Sequence, residues 1–366
     1  MFHETLYEKS QTRRFHFMAV FWALLVTILA GSTDWAIAQT PADSAIIGQA
    51  KEEEKDETGE FGAHGFNIVR VEQEDKITVP PDKADEVWAF LLHYLHQDTA
   101  SLKRLDPNFT SYWSEELFID TYYDTPSLQV HARRGGVRHR RRKNLTNAND
   151  RKSGRELMQI KINDLSDNQL ERGEIKYEIQ YPEMINQPED VHPMLGIVKP
   201  SHRDDFKARL TKLGFDPYSM RPILTIHDIR RRVYVRRNGE PFLSVSFDNA
   251  TASTLWAKWH FYEIEPELNE IPFTEGDEAT RAYMEKINHE IIDTLMATFP
   301  YLKRELTPKY CKAFNAFEAQ IPLYRFLIKS GMDKADYLVG AGAVSVIAFA
   351  GCIFFVFRKV TGRKQG

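Results

Sequence analysis

The sequence predicts an α+β protein: an eight-stranded antiparallel β tunnel (a closed barrel) with flanking helices, plus a C-terminal transmembrane helix. Three observations predict it. Seven segments alternate with period two and carry charge, not merely polarity, on one face. Four segments have helical character. A run from Tyr337 to Phe357 holds no charged residue.

The two ends read as membrane-handling segments. Arg13 and Arg14 precede an apolar stretch from Phe15 to Gly31, and Ala36-Ile37-Ala38 follows. A basic start, an apolar core and a small-x-small site are the parts of a signal peptide, expected over residues 1–38, with an uncleaved anchor as the alternative. Residues 39–66 form an acidic linker around Glu52-Glu53-Glu54. Residues 319–336 form a juxtamembrane linker, and 337–357 are long enough to span a hydrocarbon core of about 30 Å as a helix. The tail 358–366 carries Arg358, Lys359, Arg363 and Lys364. Basic residues stay cytoplasmic, so the soluble part is expected on the periplasmic, extracellular or lumenal side of a single-pass protein. Gly340, Gly342 and Ala343 would permit close helix contact and a homodimer.

Composition removes other classes. The 366 residues have formal net charge −4, which argues against bulk nucleic-acid affinity. Two cysteines make neither a disulfide framework nor a four-thiolate zinc site.

The globular unit is expected over residues 67–318. Its helices fall at Asp82–Gln97, announced by Pro80-Pro81, and at His202–Leu213, Thr280–Phe299 and Lys309–Glu318. Pro182–Pro222 reads as an irregular segment over the tunnel mouth. The first charged strand carries Glu72, Glu74 and Lys76. Arg138, Arg140 and Arg142 share a face in 136–142, and Lys161 lies in Leu157–Ile162. Glu174, Lys176 and Glu178 alternate with Ile175, Tyr177 and Ile179. Arg230 and Arg232 oppose Ile229 and Val233, Ser246 and Asp248 oppose Val245 and Phe247, and Glu263 and Glu265 oppose Tyr262 and Ile264.

Any one such strand suits a sheet with one solvated face. Seven together, with arginine-rich and glutamate-rich strands in separate groups, point inward to a lumen with a cationic wall and an anionic wall. Guanidinium and ammonium donors match phosphate oxygens. Clustered carboxylates facing a phosphate need a hard divalent cation between them, and Mg²⁺ or Mn²⁺ fits.

At these residues the chain resembles the CYTH superfamily, the triphosphate tunnel metalloenzymes. Glu72-x-Glu74-x-Lys76 is similar to the family's ExExK signature, Tyr122-Tyr123-Asp124-Thr125 to its YYDT segment, and Val137-Arg138-His139-Arg140 to its LRxR strand. The strand holding Lys161, Arg172-x-Glu174, Ile229–Tyr234, Val245-x-Phe247-Asp248 and Glu263-x-Glu265 follow in the family's order. Lys309-Tyr310 resembles its SKY element, with Pro308 replacing the serine.

The resemblance implies Glu72, Glu74, Glu263, Glu265 and Asp248 as metal ligands, with Glu72, Glu74, Lys76 and Lys161 as the catalytic set. It implies Lys76, Arg138, Arg140, Lys161 and Arg230 on the phosphates, with Arg232 as the alternative to Arg230, and Lys309 capping the mouth. Glu174 and Glu178 either bind a second metal or pair with arginines. Tyr122, Tyr123 and the Trp256–Tyr262 stretch read as packing. The implied activity is hydrolysis of a triphosphate or short polyphosphate by a metal-activated water. A membrane-tethered polyphosphate polymerase or nucleotidyl cyclase is the alternative enzyme, and a non-catalytic polyphosphate-binding module is the alternative class. Arg133–Lys143 as a nucleic-acid patch lacks stacking aromatics nearby, so no nucleic-acid partner is expected.

Overall fold

The computed structural model describes residues 70–73, 75–147, 153–162, 171–180, 192–321 and 323–330. All belong to one compact unit, Thr58–Gly366.

Among the described residues ten strands, not eight, form one antiparallel sheet. In chain order they are β1 (Arg70–Gln73), β2 (Ile77–Val79), β3 (Phe109–Asp124), β4 (Gly136–Asn144), β5 (Glu156–Ile162), β6 (Glu171–Glu178), β7 (Arg221–Arg237), β8 (Glu240–Ser253), β9 (Lys258–Leu268) and β10 (Lys303–Arg304). Their spatial order is β1-β6-β5-β4-β3-β7-β8-β9-β2-β10. Two meanders, β3 to β6 and β7 to β9, are therefore joined where the long strand β3 pairs with β7.

No closed ring of strand pairing is present among the described residues. The neighbouring chain stretches β1 and β2 nevertheless lie toward opposite ends of the sheet, β1 at one edge beside β6 and β2 between β9 and the short edge strand β10. Between them the ladder is interrupted, and the Asp75 amide donates to the Pro266 carbonyl of β9 at 3.1 Å.

The helices are α1 (Ala84–Leu92), α2 (Thr99–Leu105), α3 (Gln129–Ala132), α4 (Pro193–Ile197), α5 (Arg203–Lys212), α6 (Glu270–Glu275), α7 (Glu278–Thr298), α8 (Lys309–Gln320) and α9 (Tyr324–Ser330). A 3-10 turn at Pro81–Lys83 leads into α1, and a wider turn, His93–Gln97, prolongs it. The predicted helix at Asp82–Gln97 thus forms. Helix α7 starts where the Asp277 carboxylate accepts from the Thr280 amide at 2.8 Å. Met284, Ile287, Ile291, Ile292 and Leu295 recur on one face at helical spacing and are buried. Burying each contributes about 1.5–3 kcal/mol.

That face packs into one of two apolar clusters, with Val87 and Leu91 of α1 and Val245, Phe247 and Ile264 of the sheet. The second cluster joins Val137, Met158, Ile160 and Tyr177 to Tyr310, Phe314 and Tyr324 of α8 and α9. The stretch expected to be an irregular cover over the mouth contributes instead to this second cluster. Residues 181–191 lie outside the described residues, but α4 and α5 bury Met194, Leu195, Phe206 and Leu210 there. The Tyr177 hydroxyl donates to Asp205 of α5 at 2.8 Å. The apolar spacing of Phe206 and Leu210, four residues apart, gives that segment a core-facing stripe.

Among the described residues, no helix is long and apolar enough to cross a membrane. The signal segment 1–38, the linker 39–66 up to residue 69 and the span 337–357 lie outside them.

Candidate functional site

The even-numbered residues of β3 and β7 face a cavity of about 220 Å³. Period-two alternation puts Glu116, Phe118 and Tyr122 of β3 on this face, opposite Arg230 and Arg232 of β7. From β4 come Arg138, Arg140 and Arg142, and from β5 and β6 come Gln159, Lys161, Glu174 and Lys176. Lys76, Glu265 and Lys309 complete the wall. Eleven cationic side chains line it against four carboxylates, so its field favours a polyanion.

The acidic residues gather at one level. Asp248 of β8 sits directly opposite Glu263 of β9, and Ser246 opposite Glu265. Like charges placed across a strand pair repel. Asp248, Glu263 and Glu265 each bring a carboxylate oxygen within 4.8 Å of the others, and all three are buried. Four cations hold them together. Arg230 donates from Nε to Asp248 Oδ1 at 2.7 Å and from Nη2 to Asp248 Oδ2 at 2.7 Å, and it also donates to Glu265. Lys76 donates to Glu265. Lys309 donates to Asp248, to Glu265 Oε2 at 3.1 Å and to Asp228 Oδ2 at 3.3 Å. Lys312 donates to Glu263 Oε2 at 2.8 Å. Lys309, expected at the mouth, is buried inside this cluster because the first turn of α8 is packed onto it.

The electrostatics follow. Burial raises the Glu263 carboxyl, with Lys76, Lys309 and Lys312 offsetting part of that. Glu265 is buried equally, but Lys309, Lys76 and Arg230 overcome the burial and hold it well below the ordinary range. Asp228 is pushed up to about 6 by burial and by the neighbouring Asp248 charge. Arg230 and Lys309 are both raised, since their carboxylate partners outweigh desolvation.

Family resemblance implies a divalent cation, and the donor set fits one. It is oxygen-only and carboxylate-rich, as Mg²⁺ and Mn²⁺ prefer. Buried Glu263 Oε1 and Asp228 Oδ1 accept no hydrogen bond. Glu263 Oε1 instead lies 3.6 Å from the Lys309 ammonium and 3.8 Å from that of Lys76. Of the other expected ligands, Glu72 is on β1, described by its backbone alone, and Glu74 lies outside the described residues.

The cationic side is not the separate wall the sequence pattern predicts. Asp120 of β3 stands between its arginines, accepting from Arg140 Nε and Nη2 at 2.7 Å each and from Arg138 Nη1 at 3.1 Å. Burial opposes its ionisation, yet Arg138 and Arg140 hold it far below the usual carboxylate range. Arg138 also donates to Gln159 at 2.7 Å and to the Tyr122 hydroxyl at 3.1 Å. Glu116 accepts from Arg142 and from the Tyr234 hydroxyl. Acids from one strand are thus threaded among arginines of the next, because an unpaired guanidinium buried at such density would repel its neighbours.

Lys161 is half-buried and 3.7 Å from Glu174, which Lys176 also approaches, at 2.8 Å. Both Arg230 and Arg232 face the cavity; Arg232 donates to Ser246 at 2.8 Å. Glu178 pairs instead with Lys199 at 2.9 Å and does not line the cavity. Tyr122 combines packing with contact: its ring stacks on Tyr310 at 5.3 Å while its hydroxyl meets Arg138. Tyr123 is buried in the apolar cluster, joined at its edge by Trp256 and Trp259. Asp120, Glu116, Asp228 and Lys312 are missing from the sequence reading. The signal for the first two was the alternation Glu116, Phe118, Asp120, Tyr122, masked by the adjacent Glu115.

Fold and site together define a protein class: an antiparallel sheet wrapped on a cation-lined cavity that ends in a buried carboxylate trio. A family model described as the CYTH domain matches residues 97–291, over half of the chain. The chain belongs to the CYTH family, the triphosphate tunnel superfamily. Among solved structures it is similar to a Bacillus halodurans protein assigned as an adenylate cyclase, at 15% identity and TM-score 0.34, covering 62% of this chain and 90% of that one. A Hippeastrum protein assigned as an adenylyl cyclase, with a dominant triphosphatase activity, matches at 14% identity and TM-score 0.34, covering 69% and 98%. The RNA triphosphatase of S. pombe matches at 13% identity and TM-score 0.33, covering 63% and 85%. No curated protein sequence matches the chain.

Proposed function

We propose that the domain hydrolyses a triphosphate or short inorganic polyphosphate with Mg²⁺ or Mn²⁺ as cofactor. The observation that supports this best is the contact between two unlike zones. Arg230 touches both Asp248 and Glu265 of the acidic trio, and it lines the same cavity as Arg138, Arg140 and Arg232. A polyanion held by those arginines would extend toward the carboxylates.

Asp248, Glu263 and Glu265 would hold the metal, with Glu72 and Glu74 as the ligands the sequence adds. When bound, the divalent cation supplies charge neutralisation between carboxylates and phosphate oxygens and polarises the phosphoryl group. The chain's own groups position the substrate. Arg140, Arg232 and Lys161 bind phosphate oxygens, while Asp120 fixes the guanidinium planes of Arg138 and Arg140 beforehand. Lys76 and Lys309 keep the carboxylates from repelling the ligand. Hydrolysis forms one P–O bond to a water oxygen as it breaks one anhydride P–O bond, and releases orthophosphate with the water's proton passing to solvent. In this reading β1 and β2 are one interrupted strand that closes the tunnel wall. The domain spans 67–318, tethered by 337–357 with its signal segment at 1–38 and its bulk on the non-cytoplasmic side.

Phosphate release by the full-length protein tests the activity, with tripolyphosphate, ATP and thiamine triphosphate each supplied with Mg²⁺ or Mn²⁺. Metal-dependent release supports it. Tight tripolyphosphate binding without release would replace it with a binding module or a polymerase lacking its substrate. Retention of the full chain in the membrane pellet after alkaline carbonate washing tests the tether; release into the supernatant would remove it.

A further inference from the structure

We propose that Lys312 is a positioning residue: it grips one oxygen of Glu263 from behind and so aims the other at the metal, touching neither metal nor substrate. This deepens the metal-dependent reading above and rests on it.

The oxygens of the carboxylate trio are not alike. Asp248 accepts from Arg230 at both oxygens, and at Oδ2 from Lys309 as well. Glu265 accepts from Lys76 at Oε1 and from Arg230 and Lys309 at Oε2. Glu263 accepts from Lys312 at Oε2, at 2.8 Å, while its buried Oε1 accepts no hydrogen bond among the described residues. A hard divalent cation seeks such an oxygen. The bond on the sister oxygen fixes where it points.

Lys312 is itself held without slack. An ammonium carries three N–H donors. Three acceptors meet this one: Glu263 Oε2, Glu305 Oε2 at 3.2 Å and Thr78 Oγ1 at 3.3 Å. The Thr78 hydroxyl in turn donates to Glu305 Oε2 at 3.1 Å. These supports come from separate parts of the fold. Thr78 of β2 stands directly opposite Glu263 in the β2–β9 ladder. Glu305 follows β10, and its amide donates to the Lys76 carbonyl at 2.9 Å. On α8, Lys312 lies three residues beyond Lys309, and that helical spacing sends both lysines toward the trio.

Place separates the two lysines. Lys309 lines the cavity, whereas Lys312, Thr78 and Glu305 do not. Lys312 is buried, with its ammonium 5.9 Å from the Phe261 ring centre. A group outside the cavity does not reach the phosphates, so its influence passes through Glu263. Charge and positioning then predict opposite signs. Removing a cation beside a dication's site lowers repulsion and tightens metal binding. Releasing the grip on a metal ligand loosens it.

Calorimetric titration of the full-length protein with Mn²⁺ decides between them. Lys312→Met, which keeps the apolar stem, should weaken Mn²⁺ binding by about tenfold or more. On a Glu263→Gln background the same change should add little, since the residue it acts through is already altered. Tighter or unchanged Mn²⁺ binding in folded Lys312→Met would overturn the proposal, as would full additivity of the two changes. A merely structural lysine would lower Tm and leave the affinity of the folded protein alone. Should Lys312→Met not fold, Thr78→Val decides. It removes one of the three supports and should weaken Mn²⁺ by about twofold or more, the worth of a neutral hydrogen bond; unchanged affinity there overturns the proposal. A wild type that binds no Mn²⁺ would remove the metal reading itself and this proposal with it. Wild-type binding that Lys312→Met leaves intact would remove the proposal alone.

Discussion

Arg230 and Asp248 face each other across the β7–β8 ladder, and the guanidinium clasps the carboxylate with two parallel hydrogen bonds of 2.7 Å. The pair is buried, and the same guanidinium reaches Glu265. It therefore ties the arginine-lined cavity to the acidic trio.

Removing one member of a buried pair leaves an uncompensated charge. Arg230→Ala should destabilise the domain by about 3–5 kcal/mol. Arg230→Lys, which keeps the charge but not the fork, should cost less. Urea denaturation of both checks this, and equal losses would mean that the paired geometry contributes nothing.

Glu263→Gln should weaken Mn²⁺ binding by about tenfold or more, since it removes one charged oxygen ligand from the proposed set. Titration calorimetry reads the affinity directly, whether or not the protein turns over. Chelation with EDTA should abolish phosphate release and added Mn²⁺ should restore it. Unchanged Mn²⁺ affinity in Glu263→Gln would remove the trio as a metal site.

Arg138 and Arg140 should separate under mutation. Arg138 is tied to Asp120, Tyr122 and Gln159 and is almost fully buried, whereas Arg140, which hydrogen-bonds Asp120 and lies over the Phe118 ring, is the more accessible of the two. Arg138→Ala should lower Tm the more of the two. Arg140→Ala should chiefly raise KM for tripolyphosphate, by about ten- to a hundredfold, the worth of a charged hydrogen bond. The reverse ranking would exchange their roles.

Asp120 sets a pH dependence. Its carboxyl is held far below the ordinary 3.8 because Arg138 and Arg140 overcome its burial. A depressed folded-state value means stability that is fully present above 3.8 and lost as pH falls toward the folded value. Asp120→Asn should therefore lie well below wild type in Tm at pH 7. The gap should narrow progressively below about pH 4. A gap that stays constant down to pH 2 would show that Asp120 is not charged in the fold.

Alternation along a strand is a local property, so it was readable wherever one residue in two was charged. Arg138, Arg140 and Arg142, and Glu263 and Glu265, stand on the cavity face or in its acidic end as their spacing implies. The same rule failed for β3, where Glu115 sits beside Glu116. Only the folded pairing separates them: Glu115 bonds Arg231, whereas Glu116 turns inward to Arg142.

The sequence by itself determined the antiparallel strands, the helix at Asp82–Gln97, the α7 stripe and the shared cavity of Lys76, Arg138, Arg140, Lys161, Arg230 and Arg232. These follow from period and from turn and cap chemistry, which neighbouring residues decide. The tertiary structure alone decided which charges meet. Asp120 joins two arginines from the next strand, and α8 delivers Lys309 and Lys312 into the acidic trio from the far end of the domain. Burial makes such pairings obligatory, because a charge removed from water must find its opposite, but it does not name the partner. Register and helix docking choose that, and both depend on contacts among residues far apart in the chain.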